Sequence, residues 1–297
     1  MKRIKDTLEY AIVYLLYSVL KMLSIDTASK IGSVIARTIS PFMSATRVAK
    51  MNLKLVFPNY SESEINHVIQ KMWDNIGRTM AELCHIHHIS DEDFASRATI
   101  ITNKNIKNIT KEKATICISG HFGNWEAAAR AMLNYHDKVS IIYRDANNPL
   151  VNDMYLSMRK DIRFNNIPKG NKGVKTILES IKNKNFICFL SDQKLNQGLR
   201  VNFFGKPAMT PSAPIKLAIK FNLPILFVRS IRTHGANFKI YIDGPYEIKD
   251  LLKDIKKTED TELALTKKMN EAIEDWIKKD PSQWFWVHRR WEKDFYQ

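Results

Sequence analysis

An α/β fold with a largely parallel central sheet flanked by helices is predicted by three observations. From residue 114 onward, short apolar runs rich in Ile, Val and Phe alternate with helical stretches, the order that places a parallel sheet between helix layers. Three of those runs end in chemically capable residues: Gly120-His121, Arg144 and Ser191-Asp192-Gln193. In open α/β sheets ligands gather outside the carboxyl ends of the strands, so one rim receives them all. Finally, 297 residues, 44% hydrophobic and 26% charged, supply a core for one large domain.

The N-terminus opens with Lys2, Arg3 and Lys5, then an uncharged apolar stretch over 10–20. No small-residue cleavage site follows, because Lys21-Met-Leu-Ser-Ile-Asp26 comes next. A helix over 7–25 would be about 28 Å long, barely the hydrocarbon thickness, with Glu9 and Lys21 near its ends. Residues 1–26 are therefore expected to form a membrane helix, spanning or lying in the interface, with a helix that caps the core as the other alternative. One domain is expected over 27–297.

An apolar-patterned helix over 28–39 stops at Pro41, and 44–58 reads as a basic amphipathic helix. Ser61 with Glu64 forms a capping-box pattern, and Ile65, Val68, Ile69, Met72, Trp73 and Ile76 continue at helical period. Strands are expected over 114–119, 139–143, 186–190, 225–231 and 238–242. Helices are expected over 124–134, 150–161, 172–183, 211–222 and 260–279. The stretch 103–113 is a polar loop or edge strand.

Lys and Arg number 46 against 31 Asp and Glu, a net charge of +15. Such a surface seeks an anionic partner: nucleic acid, a membrane, or an acidic protein or substrate. Cys84, Cys117 and Cys188 are odd in number and form no CxxC pair, which argues against a disulfide framework or a structural zinc. His85, His87 and His88 have no carboxylate at ligand spacing, so no metal is expected there.

The chemistry concentrates in Ser119-Gly-His-Phe-Gly-Asn-Trp-Glu126. The glycines permit a tight turn after the strand, Asn124 suits a helix N-cap, and Glu126 falls in the first turn. On one continuous helix, side chains five residues apart point about 140° apart. His121 and Glu126 can meet only if the histidine is on the loop and the glutamate on the helix. An imidazole with a carboxylate on its far nitrogen is a general base. With no G-x-S-x-G pattern and cysteines placed in apolar runs, the activated hydroxyl belongs to a substrate. Backbone N–H groups at the start of the helix are candidate oxyanion donors.

These residues resemble the lipid A late acyltransferases, the lauroyl and myristoyl transferases of Gram-negative bacteria. The resemblance rests on Arg47, Asn52-Leu53 and Phe57-Pro58, then Glu82 and the His121-x4-Glu126 motif. It continues with Tyr143-Arg144, Asn148-Pro149, Asp192-Gln193, Val201-Asn-Phe-Phe-Gly205, Pro207-Ala208, Thr210 and Trp286-Val-His-Arg-Arg290. Two departures are Lys194-Leu-Asn-Gln-Gly198, more basic and polar than the family's form, and Asn202, which interrupts an apolar run.

The resemblance implies an acyltransferase body with an N-terminal membrane helix at the cytoplasmic face of the inner membrane. It implies transfer of a fatty acyl chain from acyl carrier protein to a hydroxyl of an anionic glycolipid, the Kdo-bearing lipid A precursor. His121 is then the base and Glu126 its orienter. Arg144, Asn148, Asp192, Gln193, Thr210 and Arg289 are expected to bind substrate, and no cofactor or metal is needed beside the thioester co-substrate. Alternatives are another glycolipid or phospholipid acceptor, or acyl-CoA as donor. A basic nucleic-acid or membrane binding protein is the rival class, but no RNP1 pattern, zinc finger or recognition helix supports nucleic acid as a partner.

Overall fold

Among the described residues, seven strands form one mixed sheet in the order β1-β9-β8-β2-β5-β3-β4. They are β1 (Ala98–Thr102), β2 (Thr115–Ser119), β3 (Val139–Tyr143), β4 (Phe164–Pro168), β5 (Phe186–Leu190), β8 (Ile225–His234) and β9 (Asn237–Tyr246). In this computed structural model, residues 2–103, 106, 112–159, 161, 163–253 and 260–296 are described. Strands β8, β2, β5, β3 and β4 run parallel and share one carboxyl rim, while β9 turns back antiparallel on β8 and pairs parallel with β1. The predicted α/β class and largely parallel sheet are therefore present. The stretch 103–113 lies mostly outside the described residues.

Helices cover both faces: α1 (Lys2–Lys21), α2 (Ile25–Ile39), α3 (Ser44–Val56), α4 (Glu62–Glu82), α5 (Asp91–Arg97), α6 (Trp125–Ala131), α7 (Pro149–Met158), α8 (Val174–Lys182), α9 (Ala213–Phe221) and α10 (Thr261–Lys279). The capping box at Ser61 and Glu64 forms as expected. α2 crosses α4 with glycines in contact, and a Cβ on Gly32 would come within 2.2 Å of the Gly77 carbonyl oxygen. That crossing fixes the end of α4, where Glu82 accepts from Arg232 and from Asn124. A layer of helices is thereby tied to the loop that carries the candidate site.

A separate hairpin, β6 (Leu199–Phe203) with β7 (Lys206–Thr210), was not among the expected strands. Its two-residue turn, Phe204-Gly205, has φ of 51° and 72°, the left-handed pair that matches strand twist in a tight hairpin. Leu199-Arg-Val-Asn-Phe203 alternates apolar and polar residues as a half-buried strand does, and the Asn202 carbonyl is used, accepting from Asn270 at 2.9 Å.

α1 requires a correction. Among the described residues, no helix is long and apolar enough to cross a membrane, so the spanning alternative is not met. Instead α1 lies along the body. Tyr10, Val13 and Tyr17 pack with Leu83, Met154 and Met158, and Leu20 packs with Ala28, Ala81 and Cys84.

Candidate active site

The β2–β5 pairing builds the site. Ser119 stands opposite Leu190 in parallel register, so the residues just beyond, Gly120-His121 and Ser191-Asp192, emerge side by side. The Ser191 N–H donates to the Ser119 carbonyl at 2.9 Å and holds the two exits together. Gly120 eases this approach, since a Cβ there would sit a tight 3.2 Å from Asp192 Cγ.

Asp192 is fully buried and bound on all sides. Its Oδ1 lies 2.9 Å from His121 Nδ1, and its Oδ2 accepts from the His121 backbone N–H and from Trp284 Nε1, both at 2.8 Å. Burial alone would push the Asp192 carboxyl up, but the charge and hydrogen bonds of His121, with His288 nearby, hold it well below the usual carboxylate range. An ionised carboxylate only accepts, so Nδ1 carries the ring proton and Nε2 presents its lone pair. The imidazole packs against Trp125 at 5.1 Å and Phe285 at 5.6 Å between ring centroids. The His121 side chain remains 18% exposed, and the Gln193 amide nitrogen stands 3.5 Å from Nε2. This is the geometry of a general base waiting for a hydroxyl.

The carboxylate that meets His121 is Asp192, which corrects the expected pairing of His121 with Glu126. Neighbouring residues on a helix point about 100° apart. Trp125 takes the side of α6 that faces His121, and Glu126 points toward α7. There Glu126 accepts from Arg159 through both Nε, at 2.8 Å, and Nη2, lies 3.0 Å from His87 Nε2, and accepts from the Tyr155 hydroxyl at 3.2 Å. Burial would raise its pKa, yet Arg159 and His87 overcome that and keep it well below the usual range. Both oxygens are committed to these partners.

Asn124 caps α6 as expected, accepting at Oδ1 from the N–H groups of Glu126 at 2.9 Å and Ala127 at 3.0 Å. Those two amides are therefore spent and do not serve as oxyanion donors. Of the remaining expected site residues, Arg144 and Gln193 stay at the rim. Arg144 is exposed just past β3, close enough to Lys169 that burial and this neighbouring cation together lower the lysine's pKa.

Three others are placed elsewhere. Asn148 caps α7 through Leu150 N–H at 3.0 Å and donates to the Asp6 carbonyl at 2.8 Å and Glu9 Oε2 at 3.2 Å, so its polar atoms hold α1. Thr210 is buried and accepts from Arg290 Nη2 at 2.8 Å and Asn270 Nδ2 at 3.2 Å. Arg289 is exposed, its guanidinium 5.7 Å from the Tyr296 ring centroid.

Sequence reasoning missed Trp284, which locks Asp192, and the Arg159–His87–Tyr155 set around Glu126. His288, within the Trp286–Arg290 motif, was given no role there; its ring is held neutral by burial down to about 4, with Asp192 opposing that shift. A small cavity of about 30 Å³ lies beside α6, lined by Trp125, Met132, Ile141, Cys117 and Cys188 and also by Glu126 and Arg159. Trp125 is shared between its wall and the His121 packing.

Comparison with known proteins follows the same direction. The family described as bacterial lipid A biosynthesis acyltransferase matches residues 2–293. A lipid A biosynthesis acyltransferase of Haemophilus influenzae is 23% identical over 250 residues, covering 82% of this chain and 76% of that protein. The lipid A biosynthesis lauroyltransferase of Escherichia coli is 24% identical over 253 residues, covering 83% and 78%. A phosphatidylinositol mannoside acyltransferase of Mycobacterium tuberculosis is 20% identical over 179 residues, covering 59% and 53%.

Proposed function

The chain belongs to the bacterial lipid A biosynthesis acyltransferase family, and from that premise we propose that it transfers a fatty acyl chain from an acyl-carrier-protein thioester to a hydroxyl of an anionic lipid A precursor. The enzyme class, an O-acyltransferase of lipid A biosynthesis, follows from the family; donor, mechanism and site roles are our reading. The observation that carries it is the His121–Asp192 pair, with Nδ1 engaged at 2.9 Å and Nε2 turned to the open rim.

In this reading His121 Nε2 takes the proton of the acceptor hydroxyl while its oxygen attacks the thioester carbonyl. Asp192 stabilises the imidazolium that forms. The tetrahedral oxyanion collapses, the C–S bond breaks, and the thiolate leaves; with a thiol pKa near ~8.5 it needs little acid assistance. The Trp125 N–H and the Gln193 amide are the candidate oxyanion donors, because Asn124 already binds the next two amides. No cofactor is called for beyond the co-substrate. Arg144 at the rim attracts the acceptor's anionic groups, and the +15 charge suits both an anionic lipid and an acidic carrier protein. The place of action is the cytoplasmic face of the inner membrane.

Mass spectrometry of lipid A precursor incubated with the protein and mixed acyl-carrier-protein thioesters tests this. A gain of one acyl unit is expected, and its mass reports the chain length. Thioester hydrolysis without a gain favours a second reading, a mannosylated phospholipid acceptor, which the mycobacterial similarity supports. Neither gain nor hydrolysis would overturn the carrier-protein donor.

A further inference from the structure

The strand exits carry a second feature beside the His121–Asp192 pair. β2, β5, β3 and β4 are neighbours in that order, so a row across their carboxyl ends runs His121, Ser191, Arg144, Lys169. At about 4.8 Å per strand the row is roughly 14 Å long. It ends in Pro168-Lys-Gly-Asn-Lys-Gly173, the turn that feeds α8. The Lys169 N–H pins that turn to the rim, donating to the Tyr143 carbonyl at 2.8 Å. Beyond it α8 leaves an arc of about 140° to solvent, carrying Val174, Leu178, Lys182, Lys175 and Glu179 in angular order. Val174 is 50% and Leu178 45% exposed. Lys172 lies just before them, and Lys175 and Lys182 run along one side. Glu179 is the one acid on this arc, 4.0 Å from Lys175.

We propose that the outward face of α8, together with Lys172, is where the acidic carrier protein of the donor thioester docks. The inference rests on the carrier-protein reading given above and adds the surface on which that protein would sit. Three cations against one carboxylate make the face complementary to an acidic surface. Val174 and Leu178 supply an apolar centre beside a charged border, the arrangement of a specific interface. Docked there, the carrier stands at one end of the row and His121 at the other. Its thioester arm then passes over the β3 and β5 exits to reach Nε2.

Topology favours a protein over a bilayer as the occupant. The chain moves outward from β3 to the edge strand β4 through α7, and back inward from β4 to β5 through α8. Right-handed crossovers in opposite directions put their helices on opposite faces of the sheet. Packing agrees. Ile181 of α8 joins the core of Ile187 and Phe189, whereas Met154 and Met158 of α7 pack with Tyr10 and Val13 of α1. The exposed apolar residues of α1, Leu8 and Leu15 among them, therefore lie on the α7 side, and α8 faces away from a bilayer that α1 meets. A second copy of this chain, with a net +15 of its own, would bring like charges together.

Initial rates with two donors test this: the acyl-carrier-protein thioester, and the same acyl group on free pantetheine, which has no protein to dock. With Lys172→Glu, Lys175→Glu and Lys182→Glu combined, KM for the carrier thioester is expected to rise at least tenfold. The kcat, the KM for the precursor and the rate from acyl-pantetheine should not change. Lys172→Arg, Lys175→Arg and Lys182→Arg together keep the charge and should leave the carrier KM near its natural value. An unchanged carrier KM in the triple Glu variant, or an equal loss with both donors, would overturn the docking face. Weaker co-sedimentation of that variant with phosphatidylglycerol vesicles, at unchanged carrier KM, would assign the face to lipid instead. Failure of the donor reading looks different: the natural protein itself would use acyl-pantetheine as well as the carrier thioester, and the proposal would fall with it.

Discussion

Consecutive residues of α6 serve two imidazole–carboxylate pairs that look alike in composition and differ in what they can do. Trp125 packs on His121, whose partner is Asp192; Glu126 is itself the carboxylate of the second pair, with His87. The His121 side chain is 18% exposed, whereas that of His87 is fully covered. Glu126 is also neutralised by Arg159, and His87 is held neutral chiefly by burial. Asp192 has no guanidinium bound to it among the described hydrogen bonds, so its charge remains available to an imidazolium at His121. One pair is placed to move a proton and the other to hold α6 against α7. Residue types do not separate these roles; access and charge balance do.

The largest effect that would break this contrast lies at the open pair. His121→Ala and Asp192→Asn are each expected to lower turnover by about 10²–10⁴, the usual contribution of a positioned base, with folding retained. Steady-state rates on detergent-dispersed precursor check this, and a folded His121→Ala protein with near-normal turnover would refute the assignment. At the sealed pair the loss should appear first as stability. Glu126→Ala strands the Arg159 charge and is expected to cost roughly 3–5 kcal/mol, read as a lower urea midpoint. Replacing both Glu126 and Arg159 by apolar residues of similar volume should recover much of that.

Acidification sharpens the comparison by a smaller amount. His288 is neutral in the folded protein down to about pH 4, while in the unfolded chain an ordinary histidine takes up its proton near ~6.5. Its contribution is therefore fully present above that value and is lost as pH falls toward 4, up to about 3 kcal/mol. Urea midpoints at pH 7.5 and 5 should fall more steeply for the natural protein than for His288→Gln. Smallest of all, Thr210→Val should lower stability by about 1 kcal/mol, since Arg290 Nη2 loses Thr210 but keeps Asn270 Oδ1 at 3.3 Å, without altering KM for the acceptor. A raised KM would return Thr210 to the binding site.

Much of the fold was legible because strand and helix signals are local. The five main apolar runs, the Ser61 capping box and the Asn124 cap all formed where their residues predict. The rim was legible for the same reason, since His121, Arg144 and Asp192 each follow a strand directly. Which carboxylate meets His121 was not. That choice depends on β2 lying beside β5 in register and on Trp125 occupying the near side of α6, and both are tertiary facts hidden by a separation of 71 residues. Asn148 misled in a similar way. Its polar side chain suits a rim position, but capping α7 and holding α1 consume its donors and acceptor. The hairpin β6–β7 was missed although Leu199-Arg-Val-Asn-Phe203 alternates apolar and polar residues, because so short a half-polar run stands out less than the continuous apolar runs of the buried sheet.

The most direct test is single-turnover acyl transfer by Asp192→Asn and Glu126→Gln, compared at equal folded fraction measured in the same samples. The account predicts a loss of at least about 10² in Asp192→Asn, and a smaller loss in the folded fraction of Glu126→Gln, whose main defect is stability. Near-normal transfer by Asp192→Asn, together with a stable but inactive Glu126→Gln, would contradict it and restore Glu126 as the partner of His121.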